Sequence, residues 1–358
     1  MDISNRMQSK LEFSSKVYQQ MMQHLSVIDS FKGNWKVIEL QKSKYLKELR
    51  KIATIESIGS STRIEGATLT NTEVEKLLKS IKITKLKTRD EEEVVGYYEV
   101  LQIILENYDT INLTESYLHQ LHGMLLKHSS KDQRHKGKYK NLSNKVVANY
   151  PDGTQRTIFK TTEPHLTQAE MQTVIEWTNE RFKKSDTHPL ITTAVFVYEF
   201  LSVHPYQDGN GRLSRLLTTL LMMQQEYGFI QYVSFENIIE TRKDDYYRAL
   251  MDGQKNRGKK EELIDKWILF FLDCIVTLIQ RLEAKYATYS QLEKGLNERQ
   301  QKIIQLLKKK KKAQIKEIDK ALPAYSRNTL KKDIAYLVDE GLIIKTGEGR
   351  GVTYHPKQ

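Results

Sequence analysis

His204-Pro205-Tyr206-Gln207-Asp208-Gly209-Asn210-Gly211-Arg212-Leu213-Ser214-Arg215 is the stretch around which the rest of the chain is read. It follows LITTAVFVYEFLSV, an apolar run long enough for a helix, and leads into Leu213 to Gln225, whose spacing predicts a second helix. Two glycines flanking an asparagine let the backbone turn tightly and approach a ligand, and the turn feeds a helix N-terminus whose free N–H groups favour an anion. Arg212 and Arg215 lie three apart on the first turn, so both guanidinium forks are expected to face one ligand and engage several phosphate oxygens. An aspartate beside phosphates is repulsive unless a cation lies between them, so Asp208 suggests Mg2+ bridging carboxylate and phosphate. His204, at the mouth of the loop, adds a general base next to an electrophilic phosphorus. The chemistry these residues imply is nucleotidyl or phosphoryl transfer.

Two other phosphate-binding readings fail on context. GNGRLS resembles part of a dinucleotide-binding fingerprint, but a helix-length segment precedes it and no strand with an acidic end follows about 20 residues later. The sequence GxxxxGK[ST] occurs nowhere in the chain.

Upstream, residues 1–150 read as helices because Val94, Tyr97, Tyr98, Leu101, Ile104 and Leu105 recur at helical spacing. Asn144 to Lys160 breaks this rhythm, with two β-branched or aromatic runs flanking Pro151-Asp152-Gly153, and reads as a β-hairpin. Helical spacing resumes with Thr167 as the expected N-cap and Glu170 completing a capping box. Another helix opens after Pro189, and helices with short connectors continue to about residue 290. From Asn297 three short helices are expected, capped at Asn297 and Ser326, with the second from Ile315 to Leu322. Gly341 ends the third, Arg327 to Glu340, and LIIKTGEGRGVTYHP reads as two strands around a glycine-rich turn.

The chain has 358 residues, 39% hydrophobic and 28% charged, which predicts two or three domains and excludes a mostly disordered or collagenous polymer. Its longest apolar stretch, Trp267 to Ile279, is 13 residues and contains Asp273, whereas a membrane span needs about 20 apolar residues. No membrane helix is therefore expected. MDISNRMQSKLEF lacks the pattern of a secretory signal, so a cytoplasmic location is expected. The single cysteine, Cys274, cannot make an intrachain disulfide or a cysteine metal site and reads as a small core residue. His119 and His122 stand three apart without further ligand-type partners and read as core or surface histidines. Of the formal net charge of +12, residues 296–358 hold +8, from 15 Lys plus Arg against 7 Asp plus Glu. That segment favours an anionic partner, nucleic acid first and an acidic protein second. Lys308 to Lys312 serve equally as phosphate contacts or as a solvated helix end.

The helix, helix, helix and two-strand order of residues 296–358 resembles a winged helix-turn-helix domain, with Arg327 to Glu340 as the recognition-type helix and Glu348 to Gly351 as the wing tip. HPYQDGNGRLSR is similar to HPFx[D/E]GNGRxxR, the signature of the Fic family of AMP transferases, and departs from it only at Tyr206, where the signature has phenylalanine. The resemblance extends over roughly residues 30–280, through SSTRIEG at 60–66, EPHLTQAEM after the hairpin, HPLITTAVFVYEF before the motif and DDYYRAL after it. It implies a mainly α fold: an all-α Fic domain at 111–290 with a β-hairpin flap, preceded by a helical region at 1–110 and followed by the winged helix at 296–358.

By matching position, the resemblance makes His204 the base that deprotonates a hydroxyl of a target protein and Asp208 the Mg2+ ligand. Gly209, Asn210 and Gly211 would line the anion hole, and Arg212 and Arg215 would hold the β- and γ-phosphates of ATP. Tyr246, Tyr247 and Gln254 would face the nucleotide, with simple helix packing the alternative. Ile158 and Phe159 would lie in the flap nearest the site, or else form its core. Ser61-Thr62-Arg63-Ile64-Glu65-Gly66 fits the inhibitory pattern [S/T]xxxE[G/N] found in part of the family, and Ser61 and Glu65 share one helical face. The resemblance implies that Glu65 takes Arg215 from the γ-phosphate.

Three functions follow from this reading. The first is an autoinhibited protein adenylyltransferase acting on tyrosine, threonine or serine hydroxyls, self-modification included. The second is removal of AMP at the same site, with Glu65 orienting water. The third is a DNA-binding regulator whose Fic site senses a nucleotide. ATP and a hydroxyl-bearing protein are the expected partners, with DNA and a second copy of the chain left open and no membrane involved.

Overall fold

Val94, Tyr97, Leu101, Ile104 and Leu105 all lie on the buried face of a single helix in the computed structural model, which describes residues 7, 10–40, 44–81, 85–149, 154–259, 261–293, 296–347 and 349–356. The chain divides into two units, Met1–Ala284 and Lys285–Gln358.

The first unit opens with α1 (Ser15–Leu40), α2 (Lys44–Ile64), α3 (Asn71–Ser80), α4 (Arg89–Asn107) and α5 (Glu115–Leu125). Thr70 and Thr88 start α3 and α4 through reciprocal capping boxes with Glu73 and Glu91, which satisfies amides that a helix start leaves unpaired. A two-stranded antiparallel hairpin follows, β1 (Lys145–Asn149) with β2 (Gln155–Lys160), pairing Val146 with Phe159. The expected turn Pro151-Asp152-Gly153 lies outside the described residues. Next come α6 (Pro164–Lys184), α7 (Pro189–Val203), α8 (Asn210–Gln224), a 3-10 turn (Gly228–Tyr232), α9 (Phe235–Thr241), α10 (Lys243–Gln254) and α11 (Asp265–Glu293). Every residue of α7 from Leu190 to Val203 is buried, and so is most of α8. These two packed helices form the centre of the unit, with α6 against α7 and α4 against α8. The helix carrying Ser61, α2, packs on α9, α4 and the 3-10 turn.

Two local readings need correction. Thr167 is not an N-cap: α6 begins at Pro164 after Glu163, because proline tolerates the first helical turn, and the Thr167 hydroxyl donates to the Glu163 carbonyl (3.1 Å). The helix after the glycine loop begins at Asn210 rather than Leu213, since Gly209 takes φ 79° and turns the chain directly into it.

The second unit contains α12 (Glu298–Lys310), α13 (Ile315–Ala321), α14 (Arg327–Asp339), β3 (Ile343–Thr346) and β4 (Thr353–Pro356). Asn297 caps α12 through a box with Gln300, Ser326 accepts from the Thr329 amide (3.2 Å), and Gly341 takes φ 62° after α14. Leu296, Ile303, Leu307, Ala313, Ile318, Leu330, Ile334, Leu337 and Ile343 make its core. Ala313 bridges to Tyr354, so a third segment joins the β3–β4 pair. Lys308, Lys309 and Lys310 sit in the last turn of α12, where a helix end favours positive charge. In the wing, Gly349–Gly351 forms a 3-10 turn, and Glu348 lies outside the described residues. Both units are mainly helical, and no described helix is long and apolar enough to cross a membrane.

Gly96 marks the tightest crossing near the site, since a Cβ there would sit 2.1 Å from the Leu125 carbonyl oxygen. That backbone atom cannot rotate away. Gly96→Ala should therefore destabilise the first unit by about 1–3 kcal/mol despite alanine's better helix propensity, measured by urea unfolding.

Candidate active site

The turn between α7 and α8 sets out the site. His204 closes α7 in the left-handed region (φ 52°), and its amide donates back to Phe200 (2.8 Å). Asn210 clamps the turn: its Oδ1 accepts from the Tyr206 amide (2.8 Å) and its Nδ2 donates to the Tyr206 carbonyl (2.7 Å). The Asn210 side chain thus serves the loop, and the backbone amide is what it offers a ligand. Leu213 makes the first intrahelical bond of α8, to Gly209 (2.9 Å), so the amides of Asn210, Gly211 and Arg212 precede the helical ladder and form an anion-binding end.

The His204 ring lies with Nδ1 3.3 Å from the Leu201 carbonyl. A carbonyl only accepts, so Nδ1 carries the proton and Nε2 presents its lone pair. Burial, reinforced by the charge of Lys140, pulls the His204 pKa down to about 4, which keeps the imidazole neutral at physiological pH. A neutral histidine with Nε2 unprotonated is a competent proton acceptor.

The two loop arginines do not point at a common centre. Arg212 Nη2 donates to Asp208 Oδ1 (3.1 Å), and its Nη1 lies 3.3 Å from Glu93 Oε2. Arg89 completes a ladder, with Nε on Glu93 (2.8 Å) and Nη2 on Asp208 (3.1 Å). Burial would push the Asp208 carboxyl up, but Arg212, the Gly209 amide and Arg89 hold it below the usual aspartate value. Burial wins at Glu93, whose pKa is raised despite both guanidinium neighbours. Arg215 turns instead to α2: Nε donates to Ser61 Oγ (2.8 Å), and Nη2 donates to the Ser61 carbonyl (2.9 Å) and to Glu65 Oε1 (2.7 Å). Ser61 and Glu65 therefore meet on one guanidinium. A Cβ on Gly211 would stand 2.1 Å from Glu65 Oε1, so the carboxylate lies directly over the loop.

The remaining expected residues separate into different environments. Tyr246 is buried against Trp267 and Phe270, close enough to Arg215 to share a hydrogen bond. Tyr247 packs edge-on to Tyr246. Gln254 donates to Ser202 Oγ (2.6 Å) and the Tyr198 hydroxyl (3.0 Å). In the hairpin, Phe159 is buried opposite Val146, and Ile158 is half-buried.

Several supporting residues carried no decisive sequence signal. His122 accepts the Gly137 amide at Nδ1 (2.9 Å), so its Nε2 carries the proton and donates to the Asp208 carbonyl (3.0 Å). Its ring stacks on Tyr206 at 3.7 Å between centroids, and the Tyr206 hydroxyl reaches His119 Nδ1 (3.1 Å). The added oxygen of Tyr206 thus has a partner beneath the loop. Arg63, inside the SSTRIEG stretch, pairs side-on through Nε and Nη2 with the two carboxylate oxygens of Glu240 (2.7 and 3.0 Å), and Lys243 donates to the Ile64 carbonyl (3.0 Å). Both contacts fix the C-terminal end of α2.

The buried His122 links protonation to stability. Burial lowers its pKa to about 4 from an unfolded value of about 6.5, so in that window the unfolded chain binds the extra proton. The stabilisation is complete above the unfolded pKa and is lost as pH falls toward the folded one. Going from pH 7 to pH 5 should remove about 2 kcal/mol through this residue. His122→Phe should flatten that slope by one proton in urea unfolding, and an unchanged slope would contradict the assignment.

Residues 112–222 match the family model of the Fic/DOC family, and residues 299–353 match that of the DeoR-like helix-turn-helix domain. Protein adenylyltransferase Fic of Drosophila willistoni is 28% identical over 184 residues, 51% of this chain and 34% of that protein. Its Drosophila melanogaster counterpart is also 28% identical, over 51% of this chain and 35% of that protein. The chain thus spans about a third of the length of the curated relatives it matches. A Fic family protein from Desulfovibrio desulfuricans shares the fold over 97% of this chain and 98% of its own, with TM-score 0.62 and 18% identity. Fic-1 from C. elegans does so over 77% of this chain and 74% of that one, with TM-score 0.58 and 20% identity. The chain is therefore similar to the Fic/DOC family over residues 112–222 and to DeoR-like helix-turn-helix domains over residues 299–353.

Proposed function

We propose that this protein is an autoinhibited adenylyltransferase that moves AMP from ATP to a hydroxyl side chain of a target protein, its own chain included. The observation that carries the proposal is the engagement of Arg215 by Ser61 and Glu65 directly above an anion-binding helix end faced by a neutral His204. In this reading His204 Nε2 takes the proton of the target hydroxyl, whose oxygen attacks the α-phosphorus. The bond to the β-phosphate oxygen breaks, pyrophosphate leaves, and AMP remains esterified to the target. The amides of Asn210, Gly211 and Arg212 neutralise charge on the phosphates. Arg212 suits the same task, because its buried Nε has no hydrogen-bond partner among the described residues. The edge of β2 aligns the target segment by strand addition, with Ile158 and Phe159 at its inner end.

Mg2+ fits the donor set. No described cluster of three His, Cys, Asp or Glu could hold a metal unaided, and Asp208 supplies one ionised, partly exposed carboxylate. Mg2+ commonly binds through one or two carboxylates together with substrate phosphates and water. Asp208 would hold it, and the ion would neutralise phosphate charge.

Glu65 and ATP compete for Arg215 in this scheme. Glu65→Gly should raise AMP transfer by roughly 5–150-fold, the range of ordinary coupling energies. His204→Ala should keep ATP binding and lose about 10²–10⁴-fold in transfer. Arg215→Ala should be inactive with or without Glu65. Mass spectrometry of the protein after incubation with ATP and Mg2+ reads all four variants, and unchanged transfer by Glu65→Gly would end the autoinhibition reading. AMP release from modified target, assayed in parallel, tests the reverse reaction with Glu65 orienting water.

For the second unit we infer an anionic partner, with duplex DNA first. Arg327, Lys331 and Lys332 are exposed on α14, the helix that a helix-turn-helix domain presents to DNA. Affinity for duplex DNA should fall with salt at a log–log slope of about −0.9 per phosphate neutralised, read by fluorescence anisotropy. Absence of binding at low salt would favour a protein partner.

A further inference from the structure

A helix end buried in a protein leaves carbonyls that must find donors. Four consecutive carbonyls at the end of α7, those of Val203, His204, Pro205 and Tyr206, find theirs largely in two residues ahead of β1. Lys140 Nζ donates to Val203 (2.8 Å), and the Lys140 amide donates to Pro205 (2.8 Å). Asn144 Nδ2 donates to Tyr206 (2.8 Å) and His204 (3.3 Å). The same two residues grip the root of the hairpin. Lys140 Nζ donates to Asn144 Oδ1 and Thr161 Oγ1 (both 2.9 Å), and the Thr161 hydroxyl donates to the Asn144 carbonyl (3.0 Å). Asn144 immediately precedes β1 and Thr161 immediately follows β2. Lys140 is only 4% exposed, and its three ammonium protons are matched by three acceptors.

We propose that Lys140 is a positioning residue that ties both stems of the β1–β2 flap to the turn carrying His204, so that the strand receiving the target and the base acting on it keep one geometry. It touches neither the anion-binding amides nor the loop arginines. Its catalytic consequence rests on the adenylyltransferase reading, whereas the mechanical tie does not. A loosened flap displaces the target hydroxyl from His204 while the ATP contacts within 209–215 stay in place. Misplacement on the order of 1 Å can cost about 10²-fold in rate.

The test uses the full chain with Lys140→Gln, Lys140→Arg and Thr161→Val. The last is nearly isosteric and cuts the tie to the second flap stem while keeping the bonds of Lys140 to Val203 and Pro205, so it remains informative if Lys140→Gln fails to fold. Hydrogen-exchange mass spectrometry should show peptides covering 145–149 and 155–160 exchanging roughly ten-fold faster in Lys140→Gln and Thr161→Val, with 210–224 unchanged. Transfer assays should show kcat down about 10²-fold at unchanged KM for ATP in Lys140→Gln, with Lys140→Arg recovering part of it. Unchanged flap exchange in the folded variants overturns the tie. Faster flap exchange at full kcat overturns the positioning role. The transfer assays are therefore run in the Glu65→Gly background as well, and if neither the unmodified chain nor Glu65→Gly transfers AMP, the adenylyltransferase reading fails and the positioning role with it, while the exchange result still decides the tie.

Discussion

The structure depends on a break between two buried helices. α7 and α8 run through the centre of the first unit, and where one stops and the next starts, unpaired carbonyls and unpaired amides lie within a few residues of each other. The carbonyl side is answered from within the protein, by Lys140, Asn144 and Asn210. The amide side forms the site. The flap root, the His122–Tyr206 stack and the left-handed residues His204 and Gly209 all serve to hold this break open in one shape.

Charge around the break follows one pattern at the arginines, each of which meets a carboxylate, while Lys140 is held by neutral acceptors. Arg212 meets Asp208 and Glu93, Arg215 meets Glu65, and Arg63 meets Glu240. Behind α7, Lys10, Glu199, Glu262 and Arg257 form a further buried ionic cluster. Pairs of this kind contribute little net stability when desolvation is included, but removing one partner strands the other. That property suits exchange of partners. Under the proposed function, the Glu65 carboxylate and an incoming phosphate would offer the Arg215 guanidinium nearly equivalent hydrogen bonds, so occupancy would shift with modest free energy.

Much of this was legible along the chain. The helix after Pro189, the hairpin strands, the caps at Asn297 and Ser326 and the stop at Gly341 are each signalled within about four residues, because capping, proline and glycine act locally. The failure at Thr167 is of the same local kind. Two overlapping start signals competed, and the proline three residues upstream took the first turn.

The sequence by itself determined the sharp loop, the free helix end beyond it and the residue types able to meet a phosphate, since backbone freedom and side-chain chemistry belong to the residues themselves. The spacing of Arg212 and Arg215 suggested one shared ligand, yet their partners come from α4 and α2, and these send the two guanidinium groups apart. The tautomer of His122, the support of Asp208 from below and the grip of Lys140 on Val203 were likewise decided in three dimensions. Each needs groups 15 to 86 positions apart. Only packing brings such groups within hydrogen-bond range, because hydrogen bonds and ion pairs act over a few ångströms of space whatever their separation along the chain.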